Sequence, residues 1–309
     1  MKNHNYGIVI HGGAGTILRS EMTDEKEAKY QSALSEAIEA GYAALQSGAT
    51  AVDAVTKAIV SLENCPLFNA GKGSVFNSKG EHEMDASIMD GRTLHAGAVA
   101  AVKNIKNPIR LSQLVLTHSD HVLLVGDGAV VFGEDHNIAK EEDAYFYDQY
   151  RYEQWQKVKD TDKFQLDHSK DKKYLGTVGA VALDSHGNLA AGTSTGGMTN
   201  KKYGRIGDSA LIGAGTYANN MTCAISCTGS GEYFMRAVTA YDISCLMEYK
   251  GLSLDAAAKK AIIDKLTALG GDGGIIGIDK EGNISMPFNC EGMYRAYQNQ
   301  NGKAVLIYK

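Results

Sequence analysis

The pattern that most restricts the fold lies just past the middle of the chain. Val178–Leu183 is a run of small and branched apolar residues, Ser185-His186-Gly187-Asn188 is turn chemistry, and Leu189–Thr195 is a second such run. Two β runs joined by so short a turn pair as an antiparallel hairpin. The pattern repeats at 274–279 and 284–289 around Lys280-Glu281-Gly282-Asn283, with further strands expected at 221–228 and 304–308. Helical blocks flank these strands. Asp24–Gln46 stops before Gly48, Thr50 with Asp53 forms a capping box opening a helix over 51–64, and Pro108 opens one that runs to His118. Two more helices are expected at 232–249 and 254–269, and strands at 6–10, 93–102 and 121–125. After 6–10, His11-Gly12-Gly13-Ala14-Gly15 reads as a tight glycine turn. Hairpin-linked strands with helices in separate blocks imply an α+β class: stacked antiparallel sheets covered by helices, not a doubly wound parallel sheet.

Bulk properties exclude several functions. The net charge of −5 offers no phosphate-seeking surface, so no nucleic-acid partner is expected. No apolar run approaches the ~20 residues that span a bilayer, which argues against a membrane partner, and no secretory leader is visible. Five cysteines, an odd and sparse set, suit a reducing cytoplasm better than a disulfide framework.

Three apparent motifs fail on their context. Gly192-Thr193-Ser194-Thr195-Gly196 matches a nucleophile elbow, but a poor helix start follows, and all nine histidines precede Ser194. Neither His11–Gly15 nor Asn69-Ala70-Gly71-Lys72-Gly73-Ser74 has the spacing of a phosphate loop. Cys223 and Cys227, four apart on a strand, share one face without ligand partners and read as core thiols.

What remains is Gly176-Thr177. Residues 141–171 are polar and charged, the early portion reading as helix and the later as a linker. The charged stretch over 157–173 leads to Tyr174-Leu175-Gly176-Thr177, where the hairpin begins on a hydroxyl residue. A cut between Gly176 and Thr177 would place a nucleophilic hydroxyl and a free α-amine on one residue. The reference pKa of such an amine, about 7.7–8.0, makes it a working base near neutrality.

Gly176–Asp184, Thr193-Ser194-Thr195-Gly196-Gly197-Met198, Gly204-Arg205-Ile206-Gly207-Asp208-Ser209 and Cys227-Thr228-Gly229-Ser230-Gly231-Glu232 resemble the plant-type asparaginase / isoaspartyl peptidase family of N-terminal nucleophile hydrolases. So, upstream, do His11–Gly15, Phe68-Asn69-Ala70-Gly71 and the segment 84–91. The resemblance implies a four-layer αββα sandwich, one domain over 1–309, cleaved into an α chain, 1–176, and a β chain, 177–309. It also implies self-association as (αβ)2. It makes Thr177 the nucleophile and Thr195 the threonine that holds it. Thr228 and Gly229 become the oxyanion hole, and Arg205 with Asp208 the grip on a substrate's α-carboxylate and α-amine. Gly231 would lie beside that anchor, and Asn69 would orient the nucleophile or substrate. The carbonyls of Leu62, Glu63, Cys65, Phe68, Ala70 and Lys72 resemble a structural sodium loop; no cofactor is implied for catalysis. On this reading the substrates are small molecules, L-asparagine and isoaspartyl dipeptides.

Two departures stand out. Asp120 replaces a frequent proline, and Lys201-Lys202-Tyr203 replaces an apolar-proline lead into Gly204-Arg205; both are expected on loops, where they bear on substrate preference and cation response. The related glycosylasparaginases are the near alternative. Gly176 rather than an acidic residue precedes Thr177, and no signal peptide is visible, so the asparaginase reading is preferred. An uncleaved, non-catalytic binding protein on the same fold is the alternative from another class.

Overall fold

A computed structural model describes residues 5–161 and 176–309. Most of the expected linker over 157–173 therefore lies outside the described residues. In chain order the strands are β1 (Gly7–Gly15), β2 (Met84–Asp90), β3 (Ala96–Val102), β4 (Leu123–Val125), β5 (Val178–Leu183), β6 (Leu189–Thr195), β7 (Thr216–Ala218), β8 (Cys223–Gly229), β9 (Gly273–Asp279), β10 (Ile284–Ser285), β11 (Gly292–Asn299) and β12 (Gly302–Tyr308). They form an eight-stranded sheet in the order β12-β11-β1-β5-β6-β2-β3-β4 and a four-stranded sheet in the order β10-β9-β8-β7. Every pair is antiparallel except β3 with β4.

The helices are α1 (Asp24–Gln46), α2 (Ala51–Glu63), α3 (Pro108–His118), α4 (Gly126–Asp135), α5 (Asp143–Phe146), α6 (Gln149–Gln156), α7 (Gly231–Ala237), α8 (Thr239–Lys250) and α9 (Leu254–Lys259). The last runs on as a π-helical stretch, Lys260–Leu266. Two starts are capped as expected: the Thr23 and Thr50 hydroxyls accept from the backbone N–H of Lys26 and Asp53.

The strands' period of two sorts side chains into three seams, which define four layers. Ile8, Ile10, Ala180 and Ala182 join Leu34, Ile38, Val55 and Ile59 of α1 and α2 in one core. Their neighbours Val9, Val181 and Leu183 point the other way and meet Ala224, Ile276 and Ile278 between the sheets. On the far face of the small sheet, Cys223, Ile225, Cys227 and Ile275 pack against Ile243 of α8 and Ala257 of α9. The α+β four-layer sandwich is therefore as expected, and both cysteines are core thiols whose burial pushes their pKa values upward. Among the described residues no helix is long and apolar enough to cross a membrane.

Four expectations need correction. The strand expected over 284–289 is only Ile284–Ser285. His11–Gly15 is not a turn: it continues β1, because β11 runs on beside it and the ladder shifts register between His11 and Ala14. The helix over 232–249 is two, α7 and α8, broken at Val238 with φ +48°. The first turn of α8 is captured from outside, Ala240 and Tyr241 donating to the carbonyls of Ala214 and Gly213. The strand over 93–102 begins only at Ala96, since Thr93 spends its hydroxyl on the Asp90 carboxylate in a turn.

Candidate active site

The hairpin places the first functional pair. Val178 faces Ser194 in the β5–β6 ladder, so one further step sets Thr177 opposite Thr195 at the strand ends. Both line a small cleft of about 30 Å³, together with Gly176, Arg205, Asp208, Gly229 and Gly231. That is room for about two water molecules. The uncut Gly176–Thr177 link itself forms part of the wall.

Three groups crowd that link. A Cβ on Gly13 would fall 2.6 Å from the Gly176 nitrogen and 2.8 Å from its oxygen; with φ +108° this is a position for glycine alone. A Cβ on Gly176 would lie 3.1 Å from Thr228 Oγ1, a buried hydroxyl with no hydrogen-bond partner among the described residues. An unpartnered hydroxyl beside a peptide link suits a charge that forms only during reaction. The third group is Ser209, whose Oγ lies 3.4 Å from Thr177 Oγ1. The Thr195 hydroxyl instead accepts from the Gly197 backbone N–H at 3.0 Å. Asn69 supports this turn, donating to the Gly197 carbonyl at 2.7 Å while its Oδ1 accepts from Val75 N at 3.1 Å.

The opposite wall is charged. Arg205 makes a two-pronged pair with Glu232, Nε to Oε1 at 2.9 Å and Nη2 to Oε2 at 3.0 Å. Burial works against the Glu232 charge, but the Arg205 hydrogen bond and charge prevail and hold its carboxyl below the usual range. Asp208 is buried, and one carboxylate oxygen has no hydrogen-bond partner among the described residues. Burial raises its pKa to about 7 despite the nearby Arg205. Gly231 keeps this corner open: a Cβ there would meet Asp208 Oδ1 at 2.8 Å and Arg205 Nη2 at 2.9 Å.

Beneath the cleft, neutral groups fill the seam between the sheets. His11 Nε2 lies 3.0 Å from Ser226 Oγ, which lies 2.7 Å from Thr193 Oγ1, and Thr216 Oγ1 donates to Thr193 at 2.5 Å. Burial lowers the His11 pKa to about 3, so the ring stays neutral. Ser194, the false elbow nucleophile, is spent on Glu63, donating to Oε1 at 2.7 Å. Lys201 is no exposed loop residue: it is buried, donates to the Glu83 carbonyl at 2.7 Å and sits 3.9 Å from Asp85. Burial lowers the Lys201 pKa and raises that of Asp85, each partly offset by the other.

In the expected sodium loop, the carbonyls of Cys65, Phe68 and Ala70 each accept one backbone N–H, whereas that of Leu62 accepts two, from Asn64 and Cys65. The first three keep a second lone pair, so that part of the donor set fits a hard monovalent cation.

Sequence reasoning missed Ser209, Glu232 and Gly13 as working residues. All three lie within segments quoted for the family resemblance, but their partners stand far off in sequence, and only the stacked sheets show the pairing.

Residues 4–307 match the family described as asparaginase. An isoaspartyl peptidase of Salmonella typhimurium is 53% identical over 294 residues, 94% of each chain. An isoaspartyl peptidase/L-asparaginase of Xenopus laevis is 42% identical over 301 residues, covering 97% of this chain and 94% of that one. A plant-type L-asparaginase of Pyrococcus horikoshii is 42% identical over 311 residues, covering 94% and 95%.

Proposed function

Since this chain belongs to the asparaginase family, we propose that it is an amidohydrolase that cuts itself between Gly176 and Thr177 and then hydrolyses L-asparagine and β-aspartyl peptides. The observation that carries this reading is the Thr177 hydroxyl in a cleft beside an unpartnered Thr228 hydroxyl, facing Arg205 and Asp208.

The chemistry follows from these groups. After the cut, the Thr177 α-amine takes the proton of its own side-chain hydroxyl, and Oγ1 attacks the side-chain carbonyl of the substrate. Thr228 Oγ1 and the Gly229 backbone face the oxyanion. Arg205 takes the α-carboxylate, and Asp208 takes the α-ammonium, whose charge returns the buried carboxyl to its ionised form. The amine proton leaves with ammonia or with the peptide's amino group. Water then attacks the aspartyl ester and frees aspartate. The cleft of about 30 Å³ has room for about two water molecules, so displacement of Gly176 from its wall after the cut is also what admits asparagine. The two products, 1–176 and 177–309, would remain one domain because β1 lies between β11 and β5. Self-association as (αβ)2, a structural sodium ion on the 62–72 loop and a cytoplasmic location complete the proposal.

The test pairs wild type with Thr177→Ala, read by intact mass and by ammonia release from asparagine. The expected result is two wild-type fragments meeting at 176/177, and a single inert chain for the variant. A variant that still matures, or an active wild type that stays whole, refutes the reading.

A further inference from the structure

Before the chain is cut, the base just invoked does not exist, because the Thr177 nitrogen is an amide with no basic lone pair. The Thr177 hydroxyl nevertheless has a partner. Ser209 Oγ lies 3.4 Å away, and it is the only side chain bonded to that hydroxyl among the described residues. Both residues are buried, Thr177 at 8% exposure and Ser209 at 1%. Ser209 sits in the single 3₁₀ turn Asp208–Ala210, next to the substrate-gripping Asp208. Its position is fixed from below: the Ser87 hydroxyl donates to the Ser209 carbonyl at 2.6 Å and lies 2.8 Å from Thr216 Oγ1, at the end of the hydroxyl chain that starts at His11. Among the described residues, Thr195, the residue expected to hold the nucleophile, accepts from the Gly197 N–H and makes no side-chain hydrogen bond to Thr177 in this uncut state. The 3.4 Å contact is longer than a typical O–H···O bond, as resting catalytic contacts often are before reaction.

We propose that Ser209 is the positioning residue for self-cleavage. It accepts the hydrogen bond of the Thr177 hydroxyl and holds Oγ1 for attack on the Gly176 carbonyl, a task that the α-amine takes over once it is free. This rests on the autoprocessing reading. In the step itself, the bond from Thr177 Oγ1 to the Gly176 carbonyl carbon forms and the Gly176–Thr177 C–N bond breaks. The hydroxyl proton ends on the departing nitrogen, which becomes the α-amine. Water then hydrolyses the Gly176 ester, returning a carboxylate and the free Thr177 hydroxyl. Thr228 Oγ1 lies beside Gly176, 3.1 Å from where a Cβ would stand.

The experiment follows the full 309-residue chain by intact mass over time for wild type, Ser209→Ala and Ser209→Cys, with ammonia release normalised to the cleaved fraction. Loss of the bond is expected to slow cleavage of the Ala variant by about tenfold or more, and to slow cleavage more than turnover per cleaved chain by roughly the same factor. The cysteine variant keeps the shape but offers a weaker hydrogen-bonding group, so it is expected between wild type and Ala. Cleavage of Ser209→Ala at the wild-type rate, or equal losses in cleavage and turnover, overturns the assignment. If the Ala chain does not fold, wild-type cleavage by Ser209→Cys overturns it instead. An uncut wild type sinks autoprocessing and the assignment together, whereas a cut wild type beside an unhindered Ser209→Ala sinks the assignment alone.

Discussion

The seam beneath the cleft and the charged wall beside it are built from opposite materials. Between the sheets, His11, Ser226, Thr193 and Thr216 bond one another in a buried chain, and the histidine stays uncharged, so that its Nδ1, which has no hydrogen-bond partner among the described residues, leaves no charge unpaired. Along the wall, Arg205 is paired with Glu232, but Asp208 keeps an unpartnered oxygen and a pKa lifted to about 7 by burial. Neutral groups that satisfy one another can be buried at little cost and hold geometry. A carboxyl buried without a full set of partners costs stability, which is offset only when an opposite charge arrives. The contrast separates a scaffold that places Thr177 from a wall on which one carboxyl is left without a full set of partners.

The largest effect that would sharpen this contrast is at the unpartnered hydroxyl. Thr228→Val keeps the shape and removes one oxyanion donor, so turnover per cleaved chain is expected to fall by roughly 10²–10³-fold. A loss of less than about fivefold would place the oxyanion elsewhere. Next comes Asp208. Its folded pKa lies above that of a free carboxyl, so the group is protonated below about pH 7 and cannot pair with an ammonium there. Aspartate binding, measured by calorimetry on the cleaved enzyme, is therefore expected to weaken as pH falls from about 8 to about 6, with fewer protons released at high pH. Asp208→Asn should weaken binding by about tenfold at the upper pH and flatten that dependence. A variant with the wild-type pH profile would remove Asp208 from the anchor. The smallest effect on chemistry is expected in the seam: Ser226→Ala should lower unfolding stability by about 1–3 kcal/mol in chemical denaturation, with turnover per cleaved chain within about threefold. If turnover collapses while stability holds, the seam is not a scaffold and the comparison breaks.

Much of the architecture was legible because local rules decided it. Thr23 and Thr50 cap their helices, Pro108 opens α3, and the hairpin Val178–Thr195 has its expected boundaries. β11 was not legible: Gly292–Asn299 lies between β1 and β12 and carries a buried arginine, so it shows no alternation. Arg295 is tolerated there because its guanidinium donates to the carbonyls of Met293 and Tyr308. The break at Val238 left no mark either, since neither glycine nor proline stands there and the cause is a backbone contact with residues 213–214. Within the site, Thr177, Thr195, Arg205, Asp208, Gly229 and Gly231 were found by their motifs and do meet at one cleft. Lys201 does lie on a loop, but its burial was not legible, because a lysine's burial depends on partners, here Glu83 and Asp85, that lie far back in the chain.

Taken alone, the amino-acid order left β11 and the break at Val238 open but determined most of the elements, the alternating faces of β5 and β6 and the hydroxyl at the head of β5. These depend on backbone propensity, capping and a period of two, all of which act over a few residues. Tertiary structure decided which groups would stay unpaired and which would find each other: Ser209 with Thr177, Glu232 with Arg205, His11 with Ser226. Those matches arise only when one sheet is laid upon another, because desolvation and side-chain hydrogen bonding are set by neighbours in space rather than along the chain.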